Sequence, residues 1–341
     1  MATEKLESVQ EAFEQFERDT VRAPKRENDA AKQIHPQIRA TLAQELAEHL
    51  ETFLSGSYSR RVQIVKLKDI DIIVVLNDPE GKFAASAEAA LEAIRKAAAT
   101  SELVKSARKR VRSVRLTLHG YEFTIDLVAA LEPPDSDGED GLLLARRIPE
   151  EGLDDWTLGH PRGQRQAAID KNQACGGIYI PSVRLAKYWL STVWGDGHKP
   201  FRSYHAESVL HGALHEEVDY AEAMVVFFDA AYDALAPGAR TPDPGAPDTY
   251  VDERLDDDER REAREAVARA RKAARAAYEQ PGVGDALDAW VEVFGPAFPA
   301  PSTSPERVAA SLAAGTAGVV GAGIRVGKGR PVIQSRPWRG R

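Results

Sequence analysis

Leu54-Ser-Gly-Ser-Tyr-Ser-Arg-Arg-Val-Gln-Ile-Val-Lys-Leu-Lys-Asp-Ile-Asp-Ile-Ile-Val-Val-Leu76 is the stretch from which the fold is read. It joins a tight Gly56-Ser57 turn to a strand that carries Asp69 and Asp71, with eleven residues between Ser57 and Asp69. Side chains alternate along a strand, so the two aspartates share one face while Ile70 and Ile72 point into a core. Alternate residues on one face lie roughly 6.5–7 Å apart at the backbone, close enough for two carboxylates to converge on one or two hard divalent cations. Without a cation, the like charges repel and one pKa rises. Glycine lets the backbone approach a phosphate, and the Ser57 hydroxyl and neighbouring N–H groups can donate to it. Asp-x-Asp alone is common on solvated edges and Gly-Ser alone is an ordinary turn. Their joint spacing ahead of the apolar run Ile70 to Leu76 carries the functional signal.

Outward from this stretch, His35 to Thr52 reads as a helix with Ile38, Leu42, Leu46 and Leu50 at four-residue intervals, delivering the chain to Gly56. Residues 1–20 read as a charged helix with a Leu6, Val9, Phe13, Phe16 stripe, and 21–31 as a polar linker. After the strand, Asn77-Asp78-Pro79-Glu80-Gly81 is a turn. An Ala-rich helix over 84–99 follows, then strands at 111–118 and 121–130 joined by His119-Gly120. From Ala167 to Phe294 the pattern is helical, with loops at 195–200 and 236–249. The helix 181–194 sets Val183, Ala186, Leu190 and Val193 on its apolar side, leaving Lys187 to project toward a cleft. Residues 256–279 alternate acid, base and Ala as an exposed, ion-paired helix. The Pro-, Ser-, Gly- and Arg-rich tail 299–341 reads as weakly ordered.

Bulk composition narrows the function. A chain of 341 residues with 43% hydrophobic content is long enough for two lobes. Its one cysteine, Cys175, excludes an intrachain disulfide and a cysteine-based zinc site. The acidic start and the lack of any apolar run of about 20 residues predict a cytoplasmic protein with no membrane span. A net charge of −8 argues against general nucleic-acid binding. Arg60, Arg61, Lys66 and Lys68, and the cluster Lys105, Arg108, Lys109, Arg110, Arg112 and Arg115, read first as solvated faces; near a cleft they would attract an anionic substrate. Three other features are discounted. Residues 315–323 lack the preceding strand and Lys-Ser/Thr of a phosphate loop. His211 and His215 lack further zinc ligands, and Cys175 has no partnering base.

The Gly-Ser turn followed about a dozen residues later by Asp-x-Asp resembles the signature of the DNA polymerase β-like nucleotidyltransferases. Within them, Val183-Arg-Leu-Ala-Lys-Tyr-Trp189, Phe201-Arg-Ser-Tyr-His-Ala-Glu207, Asp243-Pro244 and Trp290-Val-Glu-Val-Phe294 are similar to the cyclic GMP-AMP synthase and oligoadenylate synthase branch. The likeness extends to its bacterial members, which make cyclic oligonucleotides in anti-phage defence, and spans roughly residues 40–296.

The resemblance implies an α+β fold in which a nucleotidyltransferase palm with a mixed β-sheet joins a mostly α-helical lobe, the active site lying in the cleft between them. The implied divisions are 1–165 for the N-terminal helix and catalytic core, 166–298 for the lobe and 299–341 for the tail. It implies that Asp126 is the third metal-binding carboxylate beside Asp69 and Asp71, together holding two Mg²⁺ ions, with Mn²⁺ as a substitute. It further implies that Gly56 and Ser57 hold the β and γ phosphates, Lys187 and Ser203 touch the triphosphate, and Tyr204 stacks on the donor base. The implied reaction is two-metal nucleotidyl transfer from NTPs, ATP among them, that yields a cyclic di- or trinucleotide and pyrophosphate. Regulatory or effector proteins of a defence operon are its implied partners. Transfer to RNA or a small acceptor, and a non-catalytic nucleotide sensor, remain as alternatives.

Overall fold

A computed structural model describes residues 8–65, 67–133, 141–145, 156–195 and 197–299, and the backbone of a strand pair at 317–320 and 323–326. Lys66, Asp196 and nearly all of the tail called weakly ordered lie outside the described residues.

The chain opens with α1 (Val9–Phe16), whose N-cap Ser8 accepts from the Glu11 N–H, and runs through a π-helical turn, Glu17–Val21, into α2 (Lys25–Glu45). The linker expected over 21–31 is therefore mostly helix. The apolar stripe Ile34, Ile38, Leu42 extends back to the buried Ala31, and the helix accommodates Pro36 in its interior. The helix expected over 35–52 ends at Glu45, and β1 (His49–Ser55) delivers the chain to the turn. Leu50 continues the four-residue spacing, but it lies on this strand and is exposed. Pairing with the next strand outweighs helical spacing there, because β1 lines up antiparallel with β2 from His49↔Leu76 to Ser55↔Asp71.

The short α3 (Gly56–Ser59) follows, then β2 (Asp69–Leu76) and α4 (Ala87–Ala98), capped by Ser86. Next come β3 (Val104–Lys109), which was not anticipated, β4 (Val114–Leu118) and β5 (Thr124–Leu131). The sheet runs β1-β2-β5-β4-β3, and β6 (Leu142–Ala145) and β7 (Trp156–Gly159) extend it beyond β5. Among the described residues only β2 and β5 pair in parallel, so the sheet is mixed. Ile70, Ile72 and Val74 pack under α2 and α4, with Leu116 and Leu127 from the neighbouring strands. The opposite face of β2 begins with Asp69 and Asp71 and turns apolar at Ile73 and Val75. That switch leaves the first turn of the strand free for polar chemistry.

The second body is helical: α5 (Pro161–Ala174), α6 (Tyr179–Trp194), α7 (Ser203–Ala213), α8 (Tyr220–Ala234), then α9 (Asp257–Tyr278) and α10 (Val283–Phe294). Between α8 and α9, where a loop was expected, stands a hairpin of β8 (Pro242–Asp243) and β9 (Ala246–Tyr250). The lobe core is aromatic, built on Trp189, Phe227, Phe228, Trp290 and Phe294, and α1 buries Phe13 and Phe16 in it rather than in the palm. Val193, placed on the apolar side of α6, is 40% exposed. Helix α9 is not solvated all round: Ala263, Val267, Ala270 and Ala274 form a buried stripe in the same core. Cys175 is packed there too, its Sγ 3.7 Å from the Leu214 carbonyl.

Candidate active site

Among the described glycines, Gly56 has the least room for a side chain. Its φ is +62°, and a Cβ at this position would stand 1.9 Å from Asp71 Oδ2. Glycine is therefore required twice, by backbone conformation and by the carboxylate that fills the space a side chain would take. The antiparallel pairing Ser55↔Asp71 creates this approach, setting the turn directly over the second aspartate of the strand. Ser57, next in the turn, is partly exposed.

The parallel register places Asp71 opposite Asp126 and Asp69 opposite Thr124. All three predicted carboxylates thus lie at the same end of two adjacent strands. Burial and the charges of Asp69 and Asp126 push the Asp71 carboxyl up to about 6, against an opposing pull from Arg60 and Arg115. Asp126 is buried and already engaged. From the paired position on β4, Arg115 donates through Nε to Oδ1 at 2.9 Å and through Nη2 to Oδ2 at 2.5 Å, and stands 3.8 Å from Asp69 Oδ2. With both Asp126 oxygens taken, no three acidic, His or Cys side chains among the described residues stand gathered around a common point as a metal cage. The donor set nevertheless fits a hard divalent cation. It is all-carboxylate, the ligand type such an ion prefers.

From the lobe, Lys187 on α6 reaches the segment after the turn and donates to the Val62 carbonyl at 2.7 Å. Burial lowers its ammonium to about 8, while Glu207 pulls in the opposite direction. Ser203 and Tyr204 open α7. The Tyr204 hydroxyl donates to Asp243 Oδ1 at 2.6 Å, and burial together with that carboxylate pushes the phenol well above its ordinary range. Asp243 also accepts from Gln164 Nε2 and the Gly245 N–H, which ties the β8–β9 hairpin to the ring.

Two of the cations read as solvated faces turn inward. Arg60 is buried, forks onto Glu207 and lies 4.8 Å from the centre of the Tyr204 ring; Arg115 covers Asp126. Arg110 and Arg112, in the loop between β3 and β4, are exposed, whereas Arg115 stands on β4 paired with Asp126, and no local sequence signal distinguishes it. Lys109 turns to the ion pairs Glu88 and Glu92, away from these carboxylates. His211, expected as half of a solvated pair, packs its ring edge-on to Tyr179. No described helix is long and apolar enough to cross a membrane.

Residues 8–172 match the second messenger oligonucleotide or dinucleotide synthetase domain. Over 99% of both chains, the protein is 25% identical to a cyclic AMP-AMP-AMP synthase of an Acinetobacter species. Its fold is that of CdnC from Escherichia coli MS115-1, solved with ATP (TM-score 0.68, 21% identity, 85% of this chain and 98% of that one) and in complex with a HORMA protein (TM-score 0.69, 19% identity, 86% and 99%). It is likewise that of the Vibrio cholerae cyclic AMP-GMP synthase DncV, solved with the linear intermediate pppA(3′,5′)pG (TM-score 0.66, 15% identity, 86% and 97%).

Proposed function

We propose that the chain, whose residues 8–172 match the second messenger oligonucleotide or dinucleotide synthetase domain, joins NTPs into a cyclic di- or trinucleotide through Asp69, Asp71 and Asp126. The observation that carries this proposal is the parallel pairing of Asp71 with Asp126 directly beneath Gly56. That pairing supports a reading in which the three carboxylates act on the α-phosphate of a triphosphate held by the turn. ATP is proposed among the substrates, with support from the Acinetobacter relative's product and from the ATP-bound CdnC structure. The HORMA complex of CdnC supports a regulatory protein partner here too.

Members of this enzyme class depend on a metal, and two Mg²⁺ ions, or Mn²⁺ in their place, would supply charge neutralisation at the phosphates and acidify the acceptor hydroxyl. Asp69 and Asp71 would hold both ions and Asp126 would join them on one. Gly56 admits the β and γ phosphates close to the backbone, and Ser57 donates to them. Lys187 adds a point charge for the triphosphate once it exchanges the Val62 carbonyl for a phosphate oxygen. Ser203 adds a hydroxyl donor, and Tyr204 offers a face to the donor base, worth roughly 1–3 kcal/mol per stacked base. Asp126 takes the proton of the attacking ribose hydroxyl at its carboxylate. A P–O bond forms to the α-phosphorus, the α–β bridging bond breaks and pyrophosphate leaves. To close the ring, the free hydroxyl of the linear product attacks the α-phosphorus of its own 5′-triphosphate, the α–β bridging bond breaks and a further pyrophosphate leaves.

The test is incubation of the purified protein with four NTPs, labelled one at a time at the α-phosphate, plus Mg²⁺ or Mn²⁺. Products are then treated with phosphatase and resolved by mass. A phosphatase-resistant cyclic oligonucleotide that disappears in Asp71→Asn is expected. Label that moves only onto added RNA or a small acceptor would overturn the proposal.

A further inference from the structure

Three consecutive residues after the Gly56–Ser59 turn are each gripped by the helical lobe. The Arg60 guanidinium donates to Glu207 through Nε at 2.6 Å and Nη2 at 3.2 Å. The Arg61 carbonyl accepts from Arg184 Nη1 at 2.8 Å, and the Val62 carbonyl from Lys187. Val62 itself is fully buried in the lobe's aromatic core although it leads back to the palm strand β2. Arg61 sits at φ +62°, a left-handed conformation that a non-glycine residue keeps only where its surroundings impose it. The strap is therefore held by the lobe against its own backbone preference.

Within the strap, Arg60 and Glu207 differ from an ordinary surface pair. Their side chains are 8% and 3% exposed, and they join elements 147 residues apart in the chain. The planar fork needs both groups in one orientation, which a point charge would not. Glu207 lies three residues after Tyr204 on α7, hence on the same helix face, and the Arg60 guanidinium lies over the Tyr204 ring. One side chain from the end of the phosphate turn thus touches both the carboxylate that anchors α7 and the ring that α7 presents.

From this juxtaposition, the geometry points to the Arg60–Glu207 fork as the positioning element that sets the distance from the phosphate-holding turn to the base-holding ring. The inference rests on the proposed nucleotidyl transfer. Arg60 and Glu207 are positioning residues, acting through Gly56, Ser57 and Tyr204. Misplacing reacting groups by about 1 Å lowers a rate on the order of 10²-fold without removing the binding contacts themselves.

The test compares wild type, Arg60→Lys, Glu207→Gln and the double variant, each of which retains a hydrogen-bonding group at the buried site. Steady-state kinetics with NTPs are normalised to the folded fraction from denaturant unfolding, and affinity for a non-hydrolysable ATP analogue is measured separately. Each single variant is expected to lose about 100-fold in kcat per folded molecule. Analogue affinity should change less than fivefold, and the double variant should be no worse than the poorer single, as expected for two residues that act as one unit. A purely structural role predicts normal kcat per folded molecule. Both singles within threefold of wild type, or losses that multiply in the double, would overturn the inference while leaving the nucleotidyl transfer standing. A wild type that makes no nucleotide product at all would overturn both.

Discussion

Replacing Gly56 by alanine separates two demands that coincide at one residue. The first is conformational: alanine at φ +62° sits in the left-handed region at a cost of about 1–2 kcal/mol, partly offset by about 0.4–1 kcal/mol from a less flexible unfolded chain. The second is steric. The new Cβ would stand 1.9 Å from Asp71 Oδ2, where real contacts do not fall under 3.0 Å, so turn and carboxylate must part by about 1.1 Å. A shift of that size between the phosphate cradle and the carboxylate predicts a loss of about 100-fold in kcat/KM, equivalent to about 2.7 kcal/mol in the barrier. Gly81 supplies the matched control, because it has φ +68° and nothing within 4 Å of its would-be Cβ. Gly81→Ala should lose comparable stability in urea unfolding and keep wild-type synthesis of the cyclic product. Gly56→Ala should remain folded and nearly inactive. If Gly56→Ala retained more than a tenth of wild-type activity, or if Gly81→Ala lost as much as Gly56→Ala, close approach to Asp71 would not be what the glycine provides.

Asp69→Ala, Asp71→Asn and Asp126→Ala should each fall below about one per cent of wild-type turnover with an unchanged circular dichroism spectrum, since each leaves an incomplete set of hard oxygen ligands; turnover above that level in all three would refute the metal assignment. The Lys187 ammonium, lowered to about 8 by burial, should lose its charge as pH rises through that value. Nucleotide affinity should then weaken by about tenfold per pH unit above 8 in wild type, and a Lys187→Met variant, weak throughout, should show no such inflection in a titration with an ATP analogue. His205, buried against Thr241, is held down to about 4 by desolvation, so it stays neutral in the folded state and protonates first in the unfolded one. Its contribution is complete above about pH 6.5 and is lost as pH falls to about 4, on the order of 3 kcal/mol. Urea unfolding of wild type and His205→Gln across that window should show the difference shrinking toward acid pH.

The palm strand, the turn that precedes it and the positions of Asp69 and Asp71 were legible because each rests on a local signal, whereas Asp126 was singled out by the family resemblance. Alternation of acid and aliphatic residues marks a half-buried strand, and Gly-Ser ahead of it marks a tight turn. The boundaries around them were less legible. Spacing at Leu46 and Leu50 fits a helix as well as a strand, and pairing of β1 with β2 decides between them. Strand β3 was hidden in a basic run because its outward residues Lys105 and Arg108 look like any solvated face. On α9, alternating charge masked an alanine stripe that packs into the lobe.

By itself, then, the chain's sequence determined the residue types able to meet a triphosphate and a divalent cation, because strand alternation and turn chemistry are properties of a few neighbouring residues. Tertiary structure alone decided which charges those residues face. Arg60 meets Glu207 across 147 residues, and Arg115 meets Asp126 across a strand pairing; in the sequence neither stands apart from the nearby Arg61 or Arg112. Burial strengthens such pairs by removing water, and burial is set by how palm and lobe close over the strap, a quantity that no window of sequence contains.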